Sequence, residues 1–426
     1  MAGPWRRPLA TVGGLLIAGA SLYPLAARWL TNPVDQRLVD LDVYRTAGQT
    51  VLDGGSVYDF VTQAPQLLPF TYPPFSALLA VPLAWLSWPV AQVAMILAVF
   101  AALAVSVWWA FRPLIARAGA WGPLVFGGLV AALTLPLPVH DQLRFGQVGL
   151  FLLALCAVDC LAPRTYWPRG LLVGLATAFK LVPGVFLIYF LVTRRREAAG
   201  NAVVTAAGAT LITFAVLPRD SVDFWFGALL TSDRVGSNLG TSNQSIRGML
   251  LRLYWPDAVT SLVWLAAVAL VAAVGFHYAR RLSLLGASGS LSPANAWSAE
   301  TAGIAVAGLL AVLLSPVAWI HHLVWIVLVV GALAGDGRNL RRCLAAVVVW
   351  LYYVLQIPWW GTRHIQGWKP LWEQAGGRVM QSSYGLGALA LVLVLGVWLV
   401  NEMWRETPPR RREAAQESPV MGTLTP

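Results

Sequence analysis

An apolar run interrupted by one lysine, GLLVGLATAFKLVPGVFLIYFLV at residues 170–192, decides how the chain is arranged. A run of this length is typical of one helix crossing a hydrocarbon core of about 30 Å. A lone charge at the centre of a membrane costs at least about 2.5 kcal/mol. Lys180 and Pro183 therefore predict a break, with short helices over 165–179 and 181–193 and the lysine at the tip between them.

The composition is that of a polytopic membrane protein. Of the 426 residues, 58% are hydrophobic and 12% are charged, whereas soluble domains carry about 25% charged residues. The sequence lacks the alternation of a membrane barrel, so helices are the remaining way to satisfy the backbone inside lipid. We predict an all-α fold with about 12 transmembrane helices. The other predicted spans are 8–30, 88–111, 122–139, 147–161, 200–217, 259–279, 298–315, 321–335, 343–359 and 384–403.

The basic residues predict the orientation. Of the 30 Lys and Arg residues, only Lys180 and Lys369 are lysines. A break at Lys180 puts the arginine clusters on one face, which the positive-inside rule makes cytoplasmic. In the alternative, 72–86 spans and the run with Lys180 is unbroken, which leaves four arginines between residues 112 and 169 outside. The net charge of +11 thus reflects topology, and nucleic-acid binding is not expected.

Residues 1–404 are expected to form a single transmembrane domain, followed by a disordered cytoplasmic tail at 405–426. Its extracytoplasmic loops are predicted at 31–87, 218–258 and 360–383. Inside the first loop, Pro73-Pro74 opens an apolar helix that is too short to span and is expected to lie in the membrane interface.

Chemistry is expected in that first loop, because it collects acidic residues in a chain that has few. Carboxylates against a membrane are costly unless they are solvated, paired or functional. If the segment is helical, Asp40 and Tyr44 share a face while Asp42 points away. One carboxylate can then act as a general base toward a sugar hydroxyl while the other caps the helix or pairs with Arg45. A solvated loop with caps and turns is the alternative.

Further polar residues fall on the same side of the predicted membrane. Adjacent histidines point about 100° apart on a helix, so one of His321 and His322 can face a cavity. Without carboxylates at ligand spacing we expect no zinc site, and a phosphate-binding or hydrogen-bonding histidine fits better. Lys180, Arg144 and Arg247 are cations that can hold a phosphate, with packing or snorkelling as the alternative for each.

Six motifs, taken in order, resemble the motif series of glycosyltransferase family 87, whose members are GT-C-type membrane enzymes that use polyprenyl-phosphate sugars. The motifs are Asp40-Leu-Asp-Val-Tyr44, Leu68-Pro-Phe-Thr-Tyr-Pro-Pro-Phe75, Gly146-Gln147-Val148, Gly170–Leu181, Asn243-Gln244-Ser245 with Gly248, and Ser315-Pro316 followed by His321-His322. Gly149 departs from the family, where Asn is expected after Gly-Gln-Val. Asp42 is acidic at a position that the family leaves variable.

The resemblance implies a GT-C fold and an inverting transfer of mannose from polyprenyl-phosphate-mannose. The implied acceptor is a phosphatidylinositol mannoside or a lipoglycan, extended through an α-1,2 linkage on the extracytoplasmic face of the cell membrane. Mannan-branching mannosyl transfer and arabinofuranosyl transfer from polyprenyl-phosphate-arabinose are the near alternatives. A lipid-linked sugar flippase is the rival class, but it needs an inner polar vestibule, and the inner loops are short and rich in arginine.

The implied site has Asp40 as the catalytic base and His322 as the catalytic residue that anchors the donor phosphate. The expected substrate-binding residues are Asp42, Tyr44, Tyr72, His140, Arg144, Gln147, Lys180, Asn243, Gln244, Arg247 and His321. The leaving group is already a phosphate anion, so we expect neither a metal nor another cofactor. We expect the enzyme to work as a monomer surrounded by membrane lipids.

Overall fold

A computed structural model of the chain describes residues 5–33, 38–230, 238–367 and 369–407. Within these ranges the regular elements are helices. Extended residues pair there only in two isolated β-bridges. The predicted all-α class is confirmed. Six described helices are long and apolar enough to cross a membrane, or eight if each of two bent pairs counts as one span. The expected number of about 12 is not confirmed.

The first ten helices end with the two that form the interrupted run at 170–192. In order they are α1 (Arg6–Thr31), α2 (Val39–Leu52), α3 (Pro74–Ala84), α4 (Trp88–Ala110), α5 (Arg112–Arg117), α6 (Gly122–Leu133), α7 (Leu137–Phe145), α8 (Gly149–Leu161), α9 (Leu171–Phe179) and α10 (Val185–Val192). The predicted span 122–139 is bent, because α7 leaves the direction of α6 by 78°.

The second half contains the longest helix and the most deeply buried one. Its helices are α11 (Arg196–Val216), α12 (Pro218–Phe226), α13 (Ile246–Leu251), α14 (Asp257–Ala287), α15 (Pro293–Leu313), α16 (Ile326–Ala334), α17 (Leu340–Val354), α18 (Ile357–His364), α19 (Leu371–Gln381), α20 (Ser383–Leu393) and α21 (Val400–Arg405). Short 3₁₀ segments, among them Ile320–Trp325, and a π-helical turn at Val394–Leu399 join some of them. The predicted tail from 405 onward lies outside the described residues beyond Thr407.

The core is organised around α15, whose residues 301–313 are all buried. Its small residues let neighbouring elements approach closely, as in other membrane helices. A Cβ added at Gly308 would lie 2.1 Å from the Trp325 ring, and one at Gly303 would lie 3.0 Å from the Ala279 carbonyl oxygen. The first contact holds the segment that carries the two histidines against α15, and the second holds α14 against it.

The predicted break at Lys180 is confirmed. Helix α9 ends at Phe179, Lys180 has an extended backbone (φ −150°, ψ 124°), and a 3₁₀ turn precedes α10. The other end of α9 is capped by the buried Asp159, whose Oδ2 accepts from the Gly170 and Val173 N–H groups at 3.0 Å each. A helix anchored at one end therefore presents the lysine at the other.

The first loop is folded rather than open. Helix α3 starts at Pro74, and its 11 residues are too few to span, as the Pro-Pro signal predicts. It crosses α2 closely at Gly48, where a Cβ would lie 2.5 Å from the Ala80 carbonyl oxygen. Asp220 of α12 accepts hydrogen bonds from Ser56 Oγ and Val57 N–H, both at 2.9 Å. The first loop and α12 are therefore packed together.

Candidate functional site

Helix α2 positions the candidate base. Its N-cap, Leu38, has a left-handed backbone (φ 36°, ψ 44°) and donates its N–H to the Arg144 carbonyl oxygen at 3.0 Å. The left-handed N-cap and this hydrogen bond hold the first turn of α2 against the end of α7. Asp40 and Tyr44, one turn apart, reach the same neighbours, whereas Asp42 interacts with Arg45 and Thr46. The predicted division of the two aspartates between faces is confirmed, and Asp42 lies outside the cluster.

Gln147 links three of the candidate residues. It is 2% exposed, and its side chain donates a hydrogen bond to Asp40. Gln147 Oε1 accepts from Tyr44 Oη at 3.4 Å, and its Nε2 lies 3.5 Å from Tyr72 Oη. The two tyrosine rings pack with their centroids 5.0 Å apart. Asp40, Tyr44, Tyr72 and Gln147 therefore form one network, although they come from three separate motifs.

The charges in this network are set by burial. Burial raises the pKa of Asp40 to about 6, against the opposing effects of the Gln147 hydrogen bond and the positive charge of Lys180. Burial also raises the pKa of Tyr44 and of Tyr72, so both phenols keep their protons. The pKa of Lys180 falls to about 8 for the same reason. At neutral pH the site therefore holds an ionised carboxylate that can accept a proton and, beside it, a protonated lysine.

Lys180 and His322 make the most unusual contact of the site. Lys180 Nζ lies 3.0 Å from His322 Nε2 and 5.1 Å from the Tyr72 ring centroid. His322 Nδ1 accepts from the Trp319 N–H at 3.2 Å, so a neutral ring assigned from this hydrogen bond carries its proton on Nε2. An ammonium group and an N–H donor then face each other. Since the lysine is protonated at neutral pH, the two donors repel each other, and an anion that lies beside them and accepts from both would relieve the repulsion.

A small cavity of about 20 Å³ adjoins this pair. Apart from Lys180 and His322, its lining is apolar: Gly149, Leu152, Val182, Pro183, Val324 and Trp325. A cavity of this size has room for about one water molecule, so it marks the point where the Lys180–His322 pair meets an apolar wall.

His321 has a different environment from His322. Its ring packs edge-on against the His322 ring, with centroids 4.7 Å apart, and lies 5.9 Å from the Phe145 ring. Its buried Nε2 has no hydrogen-bond partner. Of the two predicted histidines, His322 is the one that contacts Lys180.

Gln142 is a residue of this site that sequence reasoning missed. It is fully buried, its Nε2 donates to the His321 carbonyl oxygen at 2.6 Å, and its Oε1 accepts from the Leu150 N–H at 3.3 Å. A Cβ at Gly149 would lie 2.6 Å from Gln142 Nε2. The family's expected Asn at 149 would therefore require the Gln142 amide to move from this position. The departure at Gly149 was visible in the sequence, but its contact with Gln142 was not.

Asn243 and Gln244 hold the backbone next to the histidines. Asn243 Oδ1 accepts from the Ala318 N–H at 3.0 Å, and the Gln244 N–H donates to the Ala318 carbonyl oxygen at 2.7 Å. Gln244 Oε1 accepts from the Gly385 N–H, and its Nε2 donates to the Gln381 carbonyl oxygen. Both amides are thus occupied by partners within the protein. They are positioned to support the histidine segment.

The remaining predicted residues lie apart from the Asp40 network. The Arg247 guanidinium lies over the Trp264 ring, 5.4 Å from its centroid. His140 and Arg144 of α7 contact Trp29 of α1. Among the residues that the structure describes, no three His, Cys, Asp or Glu side chains are grouped as a metal site requires. Independence from metals stays a prediction.

Comparison with known proteins agrees with the motif series. The model of glycosyltransferase family 87 matches residues 70–316. A protein of Mycobacterium tuberculosis named polyprenol-phosphate-mannose-dependent alpha-(1-2)-phosphatidylinositol mannoside mannosyltransferase is 34% identical over 415 residues, 93% of this chain and 92% of the relative. A protein of the same name from Mycolicibacterium smegmatis is 34% identical over 84% of this chain and 83% of the relative.

A third relative has a related name. The polyprenol-phosphate-mannose-dependent alpha-(1-2)-phosphatidylinositol pentamannoside mannosyltransferase of Mycolicibacterium smegmatis is 32% identical over 82% of this chain and 83% of the relative. The resemblance carried by the motifs is therefore confirmed, and this chain belongs to glycosyltransferase family 87.

Proposed function

We propose that the chain transfers mannose from polyprenol-phosphate-mannose to a phosphatidylinositol mannoside through an α-1,2 linkage. The observation that carries the proposal is the juxtaposition of a base and an anion site. Asp40 interacts with the charge of Lys180, and Lys180 pairs with His322 beside a cavity of apolar lining. The names of the similar proteins support the choice of donor and acceptor.

In the proposed reaction Asp40 takes the proton of an acceptor hydroxyl while the hydroxyl oxygen forms a bond to C1 of mannose. The bond from C1 to the phosphate oxygen breaks, and its electron pair leaves with the polyprenyl phosphate. Lys180 and His322 Nε2 donate to the phosphate oxygens and stabilise the charge that grows on them. Gln147 and the two tyrosines orient the carboxylate. The attack opposite to the leaving group inverts C1, as in other direct displacements at sugars.

The decisive experiment is reconstitution of the purified chain with polyprenyl-phosphate-mannose and a series of phosphatidylinositol mannosides of increasing length. We expect a mannose to be added to at least one member through an α-1,2 linkage, identified by product linkage analysis. The same assay with polyprenyl-phosphate-arabinose and with a mannan acceptor tests the two alternatives. Transfer only from the arabinose donor, or only to mannan, would replace the proposal by that alternative.

We expect the pH dependence of kcat/KM to be bell-shaped. Asp40 must be ionised to act as the base, so activity rises with pH through its pKa of about 6. Lys180 must be protonated to hold the phosphate, so activity falls as the pH passes its pKa of about 8. Each limb has a slope of about tenfold per pH unit. Lys180→Arg keeps its charge and should move the alkaline limb upward, and a profile that stays flat from about pH 5 to 9 contradicts both assignments.

We also propose that the site faces the extracytoplasmic side, as the arginine distribution implies. Cysteines introduced at the exposed Gln63 and Arg117 test this in a variant whose three native cysteines are replaced. In intact cells a membrane-impermeant thiol reagent should label position 63 and spare position 117 until the cells are opened. The reverse pattern would overturn the orientation.

A further inference from the structure

A second polar cluster on α7 is not used by the proposed reaction. This α7 cluster consists of His140, Asp141, Arg144 and, from α1, Trp29. Asp141 Oδ1 lies 3.8 Å from His140 Nδ1 and 3.9 Å from Arg144 Nη1, which is longer than a hydrogen bond. The Arg144 guanidinium lies 5.4 Å from the Trp29 ring centroid, and the Trp29 and His140 rings are 5.0 Å apart.

Four polar atoms of the α7 cluster are buried without a hydrogen-bond partner. They are Asp141 Oδ1, His140 Nδ1, Arg144 Nε and Trp29 Nε1. Asp141 itself is 3% exposed. Buried polar atoms normally have partners, so four unsatisfied ones in a single cluster indicate that a ligand completes it.

The chemistry of the four atoms favours a hydroxylated ring. Trp29 Nε1 and Arg144 Nε can only donate, whereas Asp141 Oδ1 can only accept when ionised. A sugar or inositol hydroxyl both donates and accepts, so neighbouring hydroxyls satisfy both kinds of group. A phosphate only accepts and would be repelled by Asp141, which separates this cluster from the Lys180–His322 pair.

A hydrocarbon groove lies close to the α7 cluster. It has a volume of about 380 Å³ and runs between α17 and α20. Its lining is Val348, Val349, Tyr352, Tyr353, Leu386, Gly387, Ala390 and Leu391. The Tyr353 ring of α17 packs on the Tyr384 ring of α20 with centroids 4.6 Å apart, and α17 contacts α7, which carries most of the cluster. The groove and the cluster therefore lie on neighbouring helices.

We propose that this pair of features is the acceptor subsite: one acyl chain of the acceptor glycolipid lies in the groove, and the ring hydroxyls of its headgroup bind the α7 cluster. The inference rests on the proposed function. The acceptor glycolipid has a hydroxylated headgroup joined to acyl chains. These two parts match a cluster that contains both hydrogen-bond donors and acceptors and lies next to an apolar groove. The donor, with a phosphate head, matches the two cationic or N–H donors of the Lys180–His322 pair instead.

The groove is tested by filling it from the membrane side with Ala390→Phe, since Ala390 is exposed on α20. The control is Ala266→Phe, at an exposed position of α14 outside the groove. The probes are a diacyl phosphatidylinositol mannoside and its deacylated, water-soluble form. We expect Ala390→Phe to raise KM at least about tenfold for the diacyl acceptor, with no change for the deacylated acceptor or the donor. Ala266→Phe should change none of these values.

The cluster is tested with Asp141→Asn, which keeps the size of the side chain. Loss of a charged hydrogen-bond acceptor should raise KM about tenfold to a hundredfold for both acceptor forms and leave the donor KM unchanged. A wild-type enzyme that transfers no mannose contradicts the proposed function, whereas the subsite is judged only in an active enzyme. Three results would overturn the subsite. They are an increase in the donor KM with either variant, an equal effect of Ala390→Phe on both acceptor forms, and full activity of Asp141→Asn.

Discussion

Replacing Asp40 with Asn is expected to lower turnover by about 10²- to 10⁴-fold, the usual contribution of a general base. The amide has the size of the carboxylate and can still accept from Gln147, but it cannot take the proton of the acceptor hydroxyl. The donor KM should stay within about threefold of the wild-type value, because the phosphate contacts are intact. Steady-state kinetics of the reconstituted variant, with its thermal unfolding measured in parallel, give both quantities.

Asp42→Asn is the matched control, two residues along the same helix. Asp42 interacts with Arg45 and Thr46 rather than with the Asp40 network, and partly exposed ion pairs contribute little. Its turnover should stay within about threefold of wild type. A folded Asp40→Asn protein with near-normal transfer, or a collapse of activity only at Asp42, would remove Asp40 as the base. The same pair addresses the flippase alternative, because a flippase abstracts no proton.

The sequence predicted those parts of the site that depend on local periodicity and on the cost of charge in lipid. The break at Lys180 follows from the energy of burying a lysine, and the helix start at Pro74 follows from proline chemistry. The common face of Asp40 and Tyr44 follows from the helical repeat. Each of these inferences uses residues that are close together in the chain.

Contacts between distant segments were beyond that reasoning. Gln142 joins α7 to the histidine segment 179 residues away, and nothing in its neighbourhood marks it as different from a surface glutamine. Asn243 resembles a ligand residue in sequence, but its amide holds Ala318. Hydropathy gives the length of an apolar run and not its direction, so it predicts one span over 122–139 although α7 turns by 78°. That turn brings Gln142 of α7 to the histidine segment.

The second large effect is expected at the pair that faces the donor phosphate. Lys180→Gln or His322→Ala should each lower kcat by about 10²- to 10³-fold, the cost of removing one donor from a charge that develops in the transition state. Lys369→Gln is the control, since Lys369 is the other lysine of the chain and its Nζ lies 3.5 Å from Glu373 in a half-exposed ion pair. It should leave kcat unchanged.

The double variant distinguishes a shared phosphate site from two separate roles. Lys180 Nζ and His322 Nε2 are 3.0 Å apart, so one phosphate can accept from both, and their effects should then not multiply. We expect the loss in Lys180→Gln/His322→Ala to be at least about tenfold smaller than the product of the two single losses. Fully multiplicative losses would mean that the two groups act independently. Wild-type kcat in either single variant would show that the group replaced does not hold the leaving phosphate.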